Sequence, residues 1–167
     1  MRLGESSIDE AIKALAEYRK AFGIKKQRLI EALAGIGLSV ASVTFSTAQY
    51  DGVNDVEVSV KKLSSSKVAI IARGNAVAFI EFGTGVLNPE HPQADELGMK
   101  HGTYGQGKGK NASWGYYGEG GTSGRLVKTT GKGNLYITKG NPPAKAMYFA
   151  EQEILDKIRE AAVEVFR

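Results

Sequence analysis

The chain has 167 residues, 42% hydrophobic and 24% charged, with a formal net charge of +4 and no cysteine. That length suits one domain, and the lack of cysteine excludes a disulfide framework or a thiolate metal site. The N-terminal MRLGESSIDE has no signal-peptide core, and no apolar run reads as a membrane span, so a soluble protein made in the cytoplasm is expected.

Charge is unevenly spread. Residues 1–98 carry 11 basic and 12 acidic side chains, residues 146–167 carry 3 and 5, and residues 99–145 carry 8 basic ones against Glu119 alone. The positive excess therefore sits in the glycine-rich middle, where it suits a polyanion, an acidic partner surface, or a solvated loop.

Ile8, Ile12, Leu15, Tyr18 and Phe22 recur at helical spacing, with Ser7 and Glu10 as a capping pair and Gly23 as the point where the helix ends or bends. Leu29, Leu33, Ile36, Val40, Val43 and Thr47 predict a second helix over about 24–48. After the turn residues Asp51-Gly52 and Asn54-Asp55, Val56, Val58 and Val60 alternate with polar residues as in a half-buried strand. Val68 to Ala72 reads as a more buried strand, antiparallel to the first. Ala76 to Phe82 allows a strand or a short helix; Ala78, Phe79 and Phe82 share a helical face, which favours the helix. Phe79 and Phe82 are expected in the core.

From Met99 no period is visible until Leu135 to Thr138, a short strand. Pro142-Pro143 then leads into a helix patterned by Met147, Ala150, Ile154, Ile158, Ala161 and Val165. The expected fold is α+β: a small antiparallel sheet packed by N-terminal helices and a C-terminal helix. It forms a single domain over 1–167 with residues 86–134 as a long flexible excursion.

Catalytic motifs are weak. Gly102 to Lys108 matches G-x-x-x-x-G-K, but residue 109 is Gly where a hydroxyl should bind magnesium, and no strand and helix flank it. His91 and His101 fit no common zinc spacing and are expected in a solvated or partner-facing loop. Glu81, between Ile80 and Phe82, has the setting of a desolvated general base but lacks a second placed acid. The structural reading has it in a salt bridge or hydrogen-bonded to backbone N–H groups, with those of Gly83, Thr84 and Gly85 as candidates. Trp114, Tyr116 and Tyr117 could stack on bases or anchor the excursion to a protein surface; the anchor reading is preferred. No catalytic residue, metal or cofactor is expected.

Several pieces in order suggest a family: AFIEFGTG at 78–85, His91-Pro92, a glycine-rich span, Trp114-Gly115-Tyr116, Thr138-Lys139-Gly140-Asn141-Pro142-Pro143-Ala144, and Met147-Tyr148 opening the last helix. In this the chain resembles the tail-completion or head–tail joining proteins of long-tailed bacteriophages, also called minor tail, neck or tail-terminator proteins. The resemblance covers roughly the C-terminal half. The stretch AQYDGVNDVEV departs from the proline and Thr-Gly-x-Leu turn common before the first strand in that family.

The resemblance implies a virion structural protein without catalysis. It implies a ring of identical subunits, commonly six, that meets head-completion or connector and tail-tube proteins and through which DNA passes. Glu81, Phe82, Gly83, Thr84, Gly85, Trp114, Tyr116, Met147 and Tyr148 would then fix turns or subunit interfaces. Lys108, Lys110, Arg125, Lys128 and Lys132 would meet DNA or a partner. The competing expectation from the residues alone is a basic nucleic-acid-binding module with steep salt dependence.

Overall fold

A computed structural model describes residues 5–48, 50, 54–105, 110–118 and 124–167. It has three helices and two small antiparallel sheets, an α+β fold with a helix at either end. The order is α1 (Glu5–Ser46), β1 (Glu57–Ser64), β2 (Lys67–Arg73), α2 (Val77–Phe82), β3 (Trp114–Tyr117), β4 (Arg125–Thr130), β5 (Gly133–Thr138) and α3 (Ala146–Phe166).

The two N-terminal helices expected from the sequence are one. α1 runs 42 residues, about 63 Å at ~1.5 Å per residue. Gly23 lies inside it, with nothing within 4 Å of a Cβ added there, so the glycine does not end the helix. Ser7 is within the first turns rather than ahead of them. One 18-residue window within Ser7–Ser46, of mean hydropathy 1.6, is long and apolar enough to cross a membrane by length and composition alone. The sequence reading missed it because alanine, glycine and serine dilute the run.

β1 and β2 pair antiparallel from Glu57↔Arg73 to Ser64↔Lys67, with β2 the more buried strand. The C-terminal half of α1 lies on this hairpin and on α3, which runs antiparallel to it. Gly37 is the tightest point: a Cβ there would come within 2.5 Å of Ile70 Cδ1 and 2.6 Å of Ile154 Cδ1. At the far end of α3, Lys25 Nζ donates to the carbonyls of Phe166 and Arg167, and Phe22 meets the Phe166 ring at 5.6 Å.

The core where α1, the hairpin, α2 and the start of α3 meet is small. Among the described residues, fully buried apolar side chains are Phe45, Ile80 and seven alanines. Alanine allows close approach of backbones but removes little apolar area from water. Phe79 and Phe82, expected here, are half-buried on the outer face of α2.

Asp55 ties the hairpin to α2. Its Oδ1 accepts from Ala76 N–H at 2.9 Å and its Oδ2 from Asn75 N–H at 2.6 Å. The Ala76 and Asn75 amides hold its carboxyl below the usual aspartate value. A lowered folded value stabilises above the unfolded pKa, about 4, and the contribution is lost as pH falls through the folded value. Asp55→Asn is expected to lower the unfolding midpoint at pH 7, with the gap from the parent closing as pH falls below about 4 in thermal melts.

The glycine-rich middle holds more structure than its sequence suggests. β3 and β4 lie where no strand was expected, and they flank β5 in the order β3-β5-β4. The pairing shifts between Leu126 and Lys128, leaving Val127 as the extra residue of a β-bulge. Through β5, Arg125 pairs with Ile137 and Lys128 with Leu135, so the bulge sets both bases on one face. Among the described residues no helix or strand outside this sheet makes more than marginal contact with it.

Candidate functional site

The site most firmly built by the fold joins the end of α2 to the start of α3. Its centre is Glu81, 4% exposed. Met147 N–H donates to Glu81 Oε2 at 3.0 Å and Tyr148 N–H to Oε1 at 3.2 Å. These are the second and third amides of α3, the ones an N-cap side chain normally satisfies. The N-cap residue, Lys145, adopts a left-handed conformation (φ 59, ψ 36) and makes no side-chain cap bond. Glu81 thus caps α3 from another element, where the helix dipole favours a negative charge. The expectation that it binds backbone amides holds, but the amides are those of α3, not of Gly83-Thr84-Gly85.

His91 completes the shell. Its Nδ1 accepts from Gln93 N–H at 3.1 Å, which leaves Nε2 to carry the proton and donate to Glu81 Oε1 at 3.3 Å. Its ring also meets Phe82 at 4.7 Å and Tyr148 at 5.6 Å. His101 is buried as well and donates through Nε2 to the Phe82 carbonyl at 2.9 Å. Both histidines were expected in a solvated or partner-facing loop. Instead the 86–105 segment folds back so that they supply N–H groups to the end of α2. Among the described residues no cluster of three His, Cys, Asp or Glu could hold a metal.

Around this cap, two stretches of backbone lock together. Thr84 N–H donates to the Asn141 carbonyl at 2.8 Å, and Asn141 N–H returns a bond to Thr84 Oγ1 at 3.0 Å. Ala144 N–H reaches the Ile80 carbonyl at 2.8 Å and Lys145 N–H the Glu81 carbonyl at 3.2 Å, satisfying acceptors at the end of α2. The glycines make the approach possible. Gly83 has φ +74, and a Cβ on it would come within 2.6 Å of Pro143 N. Gly85 has φ +86, with the Lys139 carbonyl oxygen where a Cβ would be. Asn88 Nδ2 bridges the seam, donating to the carbonyls of Thr84 at 2.6 Å and Lys139 at 3.3 Å.

Tyr104 closes the outer side. Its hydroxyl donates to the Gly83 carbonyl, and its ring packs between Phe79 and Phe82, with Tyr50 stacked on Phe79 at 4.3 Å. Burial, and then the nearby Glu90 and Tyr50 charges, push its phenol far above the usual tyrosine value. A raised folded value means the stabilisation is fully present below the unfolded pKa, about 10, and fades above it. Tyr104→Phe is expected to cost about 1 kcal/mol at pH 7, through the lost hydrogen bond. In denaturant titrations that cost should shrink above about pH 10.

The other residues singled out in the sequence lie elsewhere. Trp114 and Tyr116 share one face of β3, and Tyr116 stacks on Tyr136 at 5.8 Å. Strand alternation sends Tyr117 to the opposite face, with Arg125 and Lys128. Lys110, Arg125, Lys128 and Lys132 are all exposed. Lys108, and with it the end of the G-x-x-x-x-G-K match, lies outside the described residues. Met147 and Tyr148 belong to the cap. The cap thus joins AFIEFGTG, His91 and the 138–148 stretch, and leaves Trp114 and Tyr116 outside it. Tyr104 and Asn88 carried no sequence signal; Tyr104 takes its role from Gly83, 21 residues away, and Asn88 from bridging Thr84 to Lys139, 51 residues away.

Comparison with family models, curated proteins and solved structures finds nothing that matches this chain.

Proposed function

We propose that this chain is a structural subunit of the phage head–tail junction or tail end, assembling as a ring of identical copies, six by the resemblance, around the DNA path. The observation that carries the reading is the three-stranded sheet. It lies in the segment with the chain's positive excess, exposes Leu126, Val127 and Tyr117, and has no substantial cover from the described helices or from β1 and β2. A small sheet without a packed face is marginally stable in water. Laid against a neighbouring subunit it would gain that face, and head-to-tail contacts of this kind close into rings when the rotation allows.

Two further features support the reading. The buried core is mostly alanine, so much of the apolar surface waits for another chain. The Glu81 carboxylate is spent on capping α3, which suits a scaffold better than a general base. Virion location, and contact with head-completion or connector and tail-tube proteins, follow from the same proposal. A basic nucleic-acid module remains the second reading, on the shared face of Arg125 and Lys128.

Native mass measurement of the full chain, with hydrogen exchange on each species, tests the proposal. A closed ring of one mass, in which the amides of β3, β4 and β5 gain protection over the monomer, is the expected result. Strong protection of those strands in a verified monomer, together with DNA affinity that falls steeply with salt, would replace the ring by the second reading.

A further inference from the structure

α3 covers the apolar stripe of α1 only as far as Phe22, where Phe166 reaches it. Beyond that point α1 continues for about 17 residues, some 25 Å at ~1.5 Å each. Ile8, Ile12, Leu15, Tyr18 and Phe22 on it are between 46% and 68% exposed. Phe22 touches Phe166 at the edge of this stretch, and the four large apolar side chains beyond it, in one line and exposed, are an unpartnered helix face.

We infer that this arm pairs antiparallel with the same arm of a second copy, around a two-fold axis near Leu15. The spacing is the first reason. The steps along the stripe are four, three, three and four, symmetrical about Leu15. A second arm running the other way, Leu15 beside Leu15, brings Ile8 level with Phe22 and Ile12 level with Tyr18, so the two stripes coincide over their whole length. Self-complementarity of this kind is what an isologous contact requires.

Charge is the second reason. Asp9 and Glu10 outnumber Lys13 in the first half of the arm, and Arg19 and Lys20 outnumber Glu17 in the second. In the antiparallel register Glu10 is level with Lys20 of the second copy and Lys13 with its Glu17. A parallel pair would set like charges side by side along the whole arm. The arrangement also continues the packing the chain already uses, since α3 lies antiparallel on the same seam up to Phe22. A membrane surface is a poorer occupant, because the polar side of a membrane-binding helix is typically rich in lysine and arginine, not led by acids.

The pairing stands whether or not subunits close into a ring. A two-fold contact joins copies in pairs, and ring closure would need a different surface.

The absence of native cysteine makes the test direct. In full-length chains carrying one cysteine each, Leu15→Cys is expected to oxidise to a disulfide-linked dimer. Ile8→Cys mixed with Phe22→Cys should give mainly the 8–22 heterodimer, and Ile8→Cys alone should stay unlinked. Leu15 is 67% exposed, so Leu15→Arg should leave the fold intact by circular dichroism and weaken dimerisation at least 100-fold in sedimentation. Self-linking of Ile8→Cys, an unchanged mass for Leu15→Arg, or binding to anionic phosphatidylserine vesicles without self-association would each overturn the inference.

Discussion

Replacing Glu81 by alanine is expected to lower the unfolding free energy by about 4 kcal/mol, because hydrogen bonds to a charged group are worth about 1.5–3 kcal/mol each and three buried donors lose their acceptor. Those donors are the amides of Met147 and Tyr148 and the imidazole of His91. Glu81→Gln should cost less, about 2 kcal/mol, since one amide oxygen still accepts while its NH2 faces a donor. Denaturant unfolding gives the magnitudes. Hydrogen exchange gives the location: the first turn of α3 should open in both variants while the middle of α1 stays protected. A variant with full stability and a lost activity would instead make Glu81 a functional acid.

Gly85→Ala is the second large effect. At φ +86 an alanine is strained, and its Cβ would fall on the Lys139 carbonyl oxygen. Strain at a left-handed position costs about 1–3 kcal/mol by itself, and the backbone overlap adds to it, so a loss above about 3 kcal/mol is expected. Gly98→Ala is the matching control. Its φ is +67 but nothing lies within 4 Å of the added methyl, so only the conformational cost, about 1 kcal/mol, should appear. Similar losses at both positions would mean that close approach of the 83–85 and 139–143 backbones is not what holds the ends of α2 and α3 together.

The contrast between the legible and the hidden parts of this chain follows apolar patterning more than burial. α1 shows its period along packed and exposed stretches alike, and the seven-residue step from Phe22 to Leu29 carries that period through Gly23. Reading Gly23 as a stop gave local propensity more weight than the pattern on either side of it. β1 was readable from its alternating valines although it is mostly exposed, and β2, β5 and α3 from apolar runs that are half-buried. β3 and β4 were not, because β3 is only four residues long and β4 is exposed along almost its whole length, with a bulge at Val127 that breaks any alternation. The cap was half legible: an acid among aromatics marks Glu81 as buried, and glycines mark the turn. Their partners on the α3 side lie more than 50 positions away, and nothing local encodes the pairing of Thr84 with Asn141 or of Glu81 with Met147.

One consequence of the lock between residues 83–85 and 139–143 concerns what can vary. The chain leaves at Gly85 and returns at Lys139 through a single gate, held shut by bonds that owe nothing to the strands between. The entropy of closing a loop grows only with the logarithm of its length, so doubling the span costs roughly 0.6 kcal/mol. Length in the outer part of that span is therefore nearly free for the body. Residues inserted in the turn between β4 and β5, at Gly131-Lys132, are expected to leave the unfolding midpoint within a few degrees of the parent, as calorimetry would record. The gate lets one body carry outer segments of different sizes, so the piece that meets neighbours can change without redesign of the part that folds.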